Sequence, residues 1–221
     1  MQVTIKKFLG FSLAAADGEI GKVKDVYFDD HNWVIRYLVV ETGNWFVMKS
    51  VLISPSAVIS APDAESRTIP VALTKEQIKH SPEIDTDLPV SRQQEASLMD
   101  YYAWPAYGSI ATMYPTVGMV EEASSLEKKQ VDTEKYDPHL RSFKHVSQYQ
   151  VHNPNGLVGS VEDLILDLRN WRISDLVLSR NPEMEQGNIL IPAEKITSID
   201  LSNYRVNTEL TSAEMITKTD I

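Results

Sequence analysis

The chain has 221 residues, 21 Lys and Arg against 31 Asp and Glu, and no cysteine. The missing thiols exclude a disulfide scaffold, Cys-ligated zinc or iron–sulfur centres, and thiol chemistry. The net charge of −10 argues against a general nucleic-acid binder, which needs clustered positive charge to neutralise phosphates.

Lys6-Lys7 followed by Phe8–Ala16 has the outline of a signal peptide, two charges before a short apolar run. An internal repeat gives a different reading. Asp17–Val40 matches Asn155–Leu178 without a gap at an offset of 138, with ten of 24 positions identical. Extended backwards, the offset places Phe11 and Leu13 over Tyr149 and Val151, deep in the chain. Phe8–Ala15 is therefore expected to open a folded unit as a strand. No window approaches a membrane-spanning length of apolar residues, so no direct membrane insertion is expected and the location is read as cytoplasmic.

Gly18 and Gly21 punctuate the entry to a hairpin. A strand is predicted over Val23–Phe28, then a turn at Asp29-Asp30-His31-Asn32. Asp and Asn suit turns because their side chains bond nearby backbone. The next strand, Trp33–Val40, alternates Trp33, Ile35, Tyr37 and Val39 with Val34, Arg36, Leu38 and Val40. A further strand covers Val51–Ile53. Thr74-Lys75-Glu76-Gln77 is a capping box and predicts a short helix.

Residues 81–140 differ in kind. They hold 4 basic and 11 acidic side chains and so carry most of the chain's net negative charge, −7 of −10. Ser91-x-x-Gln94 predicts a helix over Arg92–Tyr101, and Glu121–Lys129 a second one. Tyr101, Tyr102, Trp104 and Tyr107 are unusually aromatic for a solvated linker. They are expected to pack against the folded units, with a protein-partner patch as the alternative role. The second copy then repeats the first: Gly156 and Gly159, strand Val161–Leu166, turn Asp167–Asn170, a strand from Trp171, and Ile189–Ile191. A second capping box at Thr211–Glu214 predicts a second terminal helix.

The expected fold is mainly β: two small antiparallel barrels, residues 1–80 and 141–221, each ending in a short helix and joined by a partly helical aromatic linker at 81–140.

Gly18-x-x-Gly21-x-Val23-x-Asp25-Val26-x-Phe28-Asp29, followed by Trp33 and a Val/Ile strand, resembles the PRC-barrel family. That barrel occurs in the photosynthetic reaction centre H subunit and in the C-terminal half of the ribosome-maturation protein RimM. The likeness covers both repeats, and the Tyr-Tyr-x-Trp-Pro run resembles the linker of stand-alone two-copy bacterial members. The resemblance implies an interaction barrel and not an enzyme. Its alternative implication is a soluble accessory of a membrane electron-transfer complex of the reaction-centre type. Neither context is expected to carry over: with the first repeat opening almost at residue 1, neither an N-terminal membrane helix nor a companion N-terminal domain is expected.

A search for chemistry supports a non-catalytic reading. There is no Gly-x-Ser-x-Gly, Walker loop or Gly-x-Gly-x-x-Gly. His31, His80, His139, His145 and His152 fit no ligand spacing, so neither catalytic, cofactor-binding nor metal residues are expected. Asp25/Asp29 and Asp163/Asp167 are the recurrent carboxylate pairs. Members of a pair four strand residues apart stand about 13 Å apart, too far to share one ion. A cation site at Asp29, Asp30 and Asn32 is the sharper reading. The plainer one has Asp29 and Asp167 accept backbone N–H groups of their turns. Gly18, Gly21, Asp25, Asp29 and Trp33, with Gly156, Gly159, Asp163, Asp167 and Trp171, are read as a structural signature. Expected partners are a protein and, as the repeat allows, a second copy in a homodimer.

Overall fold

The computed structural model describes residues 1–43, 49–82, 92–104, 139–179, 188–211, 214 and 216–218. The first unit holds β1 (Gln2–Thr4), α1 (Ile5–Phe8), β2 (Ser12–Ala15), β3 (Gly18–Asp29), β4 (Ile35–Thr42), β5 (Ser50–Ile53), β6 (Thr68–Pro70) and α2 (Lys75–Lys79). Helix α3 (Arg92–Tyr102) follows. The second unit repeats the order with β7 (Leu140–Ser142), α4 (Phe143–Val146), β8 (Gln150–Asn153), β9 (Gly156–Asp167), β10 (Arg172–Ser179) and β11 (Asn188–Pro192). It ends with β12 (Ile196–Asp200), β13 (Arg205–Thr208) and β14 (Ile216–Lys218).

The chain is mainly β, with two sheets ordered β5-β4-β3-β2-β6 and β12-β13-β8-β9-β10-β11-β14. Neither is purely antiparallel: β2 pairs parallel with β6 and β8 with β13. These pairs follow from the long path through the central hairpin, which returns the chain to the far edge in the same direction.

Three sequence expectations need correction. Phe8–Ala15 is not one strand. Ile5 and Phe8 are fully buried one helical turn apart, so Lys6-Lys7-Phe8 belongs to α1 and only Ser12–Ala15 is extended. The alternation of β4 breaks at Arg36. The register runs Tyr27↔Tyr37 and then Phe28↔Ile35, leaving Arg36 as the extra residue of a bulge. Ile35, Leu38 and Val40 therefore share the inner core, whereas Tyr37 and Val39 join an outer cluster. Ser174 is skipped in the same way in β10. Finally, the two capping boxes diverge. Thr74 and Gln77 cap α2 reciprocally. Thr211 N and Oγ1 both donate to Glu214 Oε2, at 2.8 and 2.7 Å, with no return bond to the Thr211 hydroxyl, and the chain then enters β14 on the edge of β11.

The glycines of the signature do two jobs. Gly18 and Gly156 turn the first hairpin at φ +119° and +121°, a region closed to most side chains. Gly21 and Gly159 let two backbones touch. A Cβ on Gly21 would lie 2.1 Å from the Glu41 carbonyl oxygen, and one on Gly159 2.5 Å from that of Ser179.

The units exchange their first strands. β1 pairs with β9, as Gln2↔Asp167, Val3↔Leu166 and Thr4↔Ile165. β7 pairs with β3, as Leu140↔Asp29, Arg141↔Phe28 and Ser142↔Tyr27. Advancing the first set by the repeat offset reproduces the second, so a pseudo-two-fold axis relates the halves. The sheets thus cross the 1–80 and 141–221 division. The axis passes through Val34 and Arg172, equivalent residues that bridge each other. Ile35 N–H donates to the Trp171 carbonyl at 2.7 Å and Ile173 N–H to that of Trp33 at 2.8 Å. One apolar core runs from Ile5 and Phe8 through Val23 and Leu38 into Leu164 and Leu176.

Candidate functional site at the seam of the repeats

Asp25 and Asp163 hold the exchange. Each lies beside a register shift in its hairpin, where the ladder loses a partner. Asp25 accepts from its neighbour Val26 N at 2.8 Å, then from Ser142 Oγ at 2.6 Å and Lys144 N at 3.2 Å of the other unit. Asp163 accepts from Leu164 N at 2.8 Å and Lys6 N at 3.1 Å. Each carboxylate therefore ties the first turn of the exchanged helix, α4 or α1, to the receiving sheet. Burial raises both pKa values above the ordinary carboxylate range, opposed by these hydrogen bonds.

Asp29 and Asp167 stabilise their turns. Asp29 Oδ1 accepts from His31 N at 2.9 Å and Asn32 N at 3.1 Å, and Asp167 Oδ1 accepts from Arg169 N at 3.1 Å. The Arg169 side chain also grips Asp167 and holds its carboxyl far below the usual range. Asn32 Oδ1 accepts from Val34 N at 3.0 Å. The oxygens of the suggested Asp29-Asp30-Asn32 cation site are thus spent on the turn and on ion pairs. Among the described residues no three His, Asp or Glu side chains converge on a metal position.

Trp33 and Trp171 follow these turns with left-handed backbone, φ +62° and +55°. This is rare for a bulky residue. It points each carbonyl at the opposite unit, where it meets Ile173 or Ile35. Trp33 is buried and stacks on Phe28 at 5.6 Å. Trp171 is only partly buried and meets Phe8 of the exchanged α1 edge-on at 6.0 Å.

The two seam ends are chemically different. Asp30 bonds His139 Nδ1 at 2.8 Å and Arg141 at 2.7 Å, and both Asp30 and Arg141 are more than nine-tenths buried at the side chain. Burial raises the Asp30 pKa against the pull of His139 and Arg141. The equivalents in the other unit are Leu168, Met1 and Val3. The Asp30–Arg141 pair thus stands where the other end has two apolar side chains, Leu168 and Val3, although there the Met1 ammonium meets Asp167 at 3.4 Å. Between the two turns a cleft of about 580 Å³ opens, lined by Asp30, His31 and Trp33 of one unit and by Asp167, Asn170, Arg172, Glu194 and Thr197 of the other, among others. Arg172 reaches across it to donate to the Asn32 carbonyl at 2.9 Å.

The linker contributes a second feature. Helix α3 lies on the outer face of the first sheet, where Leu98, Tyr102 and Trp104 meet Tyr27, Val39 and Leu52. Glu95 enters that face and pairs with Arg36 at 2.5 Å, both buried. One acidic residue of the linker is therefore internal. An arginine in the middle of an apolar strand was the available signal. Tyr102 and Trp104 stack at 4.3 Å, and burial pushes the Tyr102 phenol up to about 12. Tyr101 is 40% exposed and donates to the Gln77 carbonyl at 2.7 Å. Tyr107 and the expected Glu121–Lys129 helix lie outside the described residues.

The family model of the PRC-barrel domain matches residues 2–78. This stretch of the chain is a PRC-barrel domain. No curated protein matches the chain. Among the described residues no helix is long and apolar enough to cross a membrane.

Proposed function

We propose that the chain is a fused pair of PRC barrels that acts without catalysis, as a scaffold binding another protein across its seam. The observation that carries this reading is the cleft between the two turns, which is lined by both repeats. Two of its three carboxylates are committed to ion pairs: Asp30 to Arg141 and His139, Asp167 to Arg169. Such groups suit shape and charge recognition better than proton transfer, where a catalytic group must meet the reacting atoms. A seam fixed by exchanged strands offers a partner one rigid surface, which lowers the ordering cost of binding.

The test places a photo-crosslinking amino acid at Thr197, on the cleft, and separately at exposed Leu157 in cells of the source organism. The expected result is a discrete crosslinked protein from position 197 and none from 157. Equal or absent crosslinking from 197 overturns the seam as the docking surface.

A further inference from the structure

We infer that Asn155–Gly156 is a deamidation site, at which the second copy of the first hairpin turn is converted to the aspartyl form that the first copy carries. Of the nine glycines in the chain, one follows an asparagine, Gly156, and one follows an aspartate, Gly18. The repeat places these two dipeptides at equivalent positions. Each completes a two-residue turn, closed by Ala15↔Gly18 in the first unit and by Asn153↔Gly156 in the second. The other eight asparagines precede Trp, Pro, Ile, Tyr or Thr. Proline has no N–H to give up, and the rest shield their nitrogen with a substituted Cβ. Glycine has no Cβ and leaves its nitrogen open.

The step needs no partner beyond water. The Gly156 backbone nitrogen attacks the Asn155 side-chain carbonyl carbon and forms a C–N bond. The bond from that carbon to the side-chain nitrogen breaks, and ammonia leaves with the proton that Gly156 gave up. The cyclic succinimide takes up one water at either carbonyl and opens to aspartate or isoaspartate, so an amide is exchanged for a carboxylate. The fold opens this site and occupies its twin. Asn155 is exposed, and its side-chain amide makes no hydrogen bond to a described residue. A Cβ on Gly156 would meet nothing within 4 Å. In the first unit the Asp17 carboxylate already accepts from Lys75 N at 3.1 and 3.0 Å, and Lys75 Nζ lies 2.9 Å from where a Gly18 Cβ would stand. The aspartyl product restores at position 155 the carboxylate of Asp17. The isoaspartyl product lengthens by one carbon the backbone that Asn153↔Gly156 closes.

The experiment incubates the folded full chain in mildly alkaline buffer and follows every asparagine-containing peptide by mass spectrometry. Isoaspartate is read by methylation with an isoaspartyl methyltransferase, and the intact chain by ion exchange. The expected result is progressive loss of the Asn155 peptide, ahead of every other asparagine, to a form heavier by the exchange of NH₂ for OH. The intact chain should gain one negative charge in step with that loss. Asn155→Asp should elute with the shifted form from the start, and Asn155→Gln should not shift. Loss at Asn155 no faster than at the other asparagines, or a charge shift that survives Asn155→Gln, overturns the assignment.

Discussion

The buried Asp30–Arg141 pair can be replaced by the residues that the chain itself uses at the opposite end, Leu168 and Val3. Removing one member of a buried ion pair costs about 3–5 kcal/mol when the survivor is stranded. Here neither survivor is wholly stranded. Without Arg141, Asp30 keeps His139 at 2.8 Å; without Asp30, Arg141 still donates to the Leu140 carbonyl at 3.1 Å. Each single change, Asp30→Leu or Arg141→Val, is therefore expected to cost about 2 kcal/mol, below that range. The double variant removes both charges and restores an apolar contact, and should fall within about 1 kcal/mol of wild type. The resulting coupling is about 3 kcal/mol, at the upper end for contacting residues. Urea unfolding followed by tryptophan fluorescence measures all four corners of the cycle, and an unchanged m-value confirms that compactness is preserved. A double variant that costs the sum of the singles, within about 0.5 kcal/mol, refutes the reasoning.

Gly21→Ala forces a Cβ to 2.1 Å from the Glu41 carbonyl oxygen and should destabilise by about 3 kcal/mol or more. Gly156→Ala meets open space and should cost only about 1–2 kcal/mol, for its left-handed backbone; the order of the two in denaturant titrations is the test. Burial raises the folded pKa of Asp25, so the native state binds that proton more tightly than the unfolded chain. Its charged form costs stability, and that cost grows as pH rises from the ordinary carboxylate range through the raised value. Asp25→Asn should therefore melt higher relative to wild type at pH 7 than at pH 4, and an equal difference at both pH values would contradict the burial argument. Val3 faces Leu166 across the exchanged pair, and the native chain has no cysteine. A Val3→Cys/Leu166→Cys variant should oxidise within one chain and run as a monomer on a non-reducing gel; a covalent dimer would mean that the exchange occurs between chains.

The strands, both sets of signature glycines and the turn carboxylates were legible because each is a local device. Gly18 needs only its own φ, and Asp29 only the two N–H groups that follow it. The strand exchange was not legible, for a physical reason. The repeat makes β1 and β7 equivalent strands, and what tells their edges apart, Arg141 with Asp30 at one and Val3 and Leu168 at the equivalent positions of the other, joins residues far apart in sequence. The clamping role of Asp25 was hidden with it, because its partners Ser142 and Lys144 lie in the other unit. The bulge at Arg36 reads in sequence as plain alternation, since period two has no means of marking a skipped residue.

The exchanged strands also set the order in which this protein can be made. When the first unit leaves the ribosome it lacks β7, which closes onto β3, and its own β1 has no β9 to join. At about 5–20 residues per second, the wait for the repeat-length stretch between them is roughly 7–28 s. During that interval the edge of β3 and the apolar side of α1, with Ile5 and Phe8, are uncovered. The nascent chain therefore passes through a stage in which half of it lacks a strand that the other half supplies. Neither half can be released from the finished molecule without opening the other, so both should unfold in a single step.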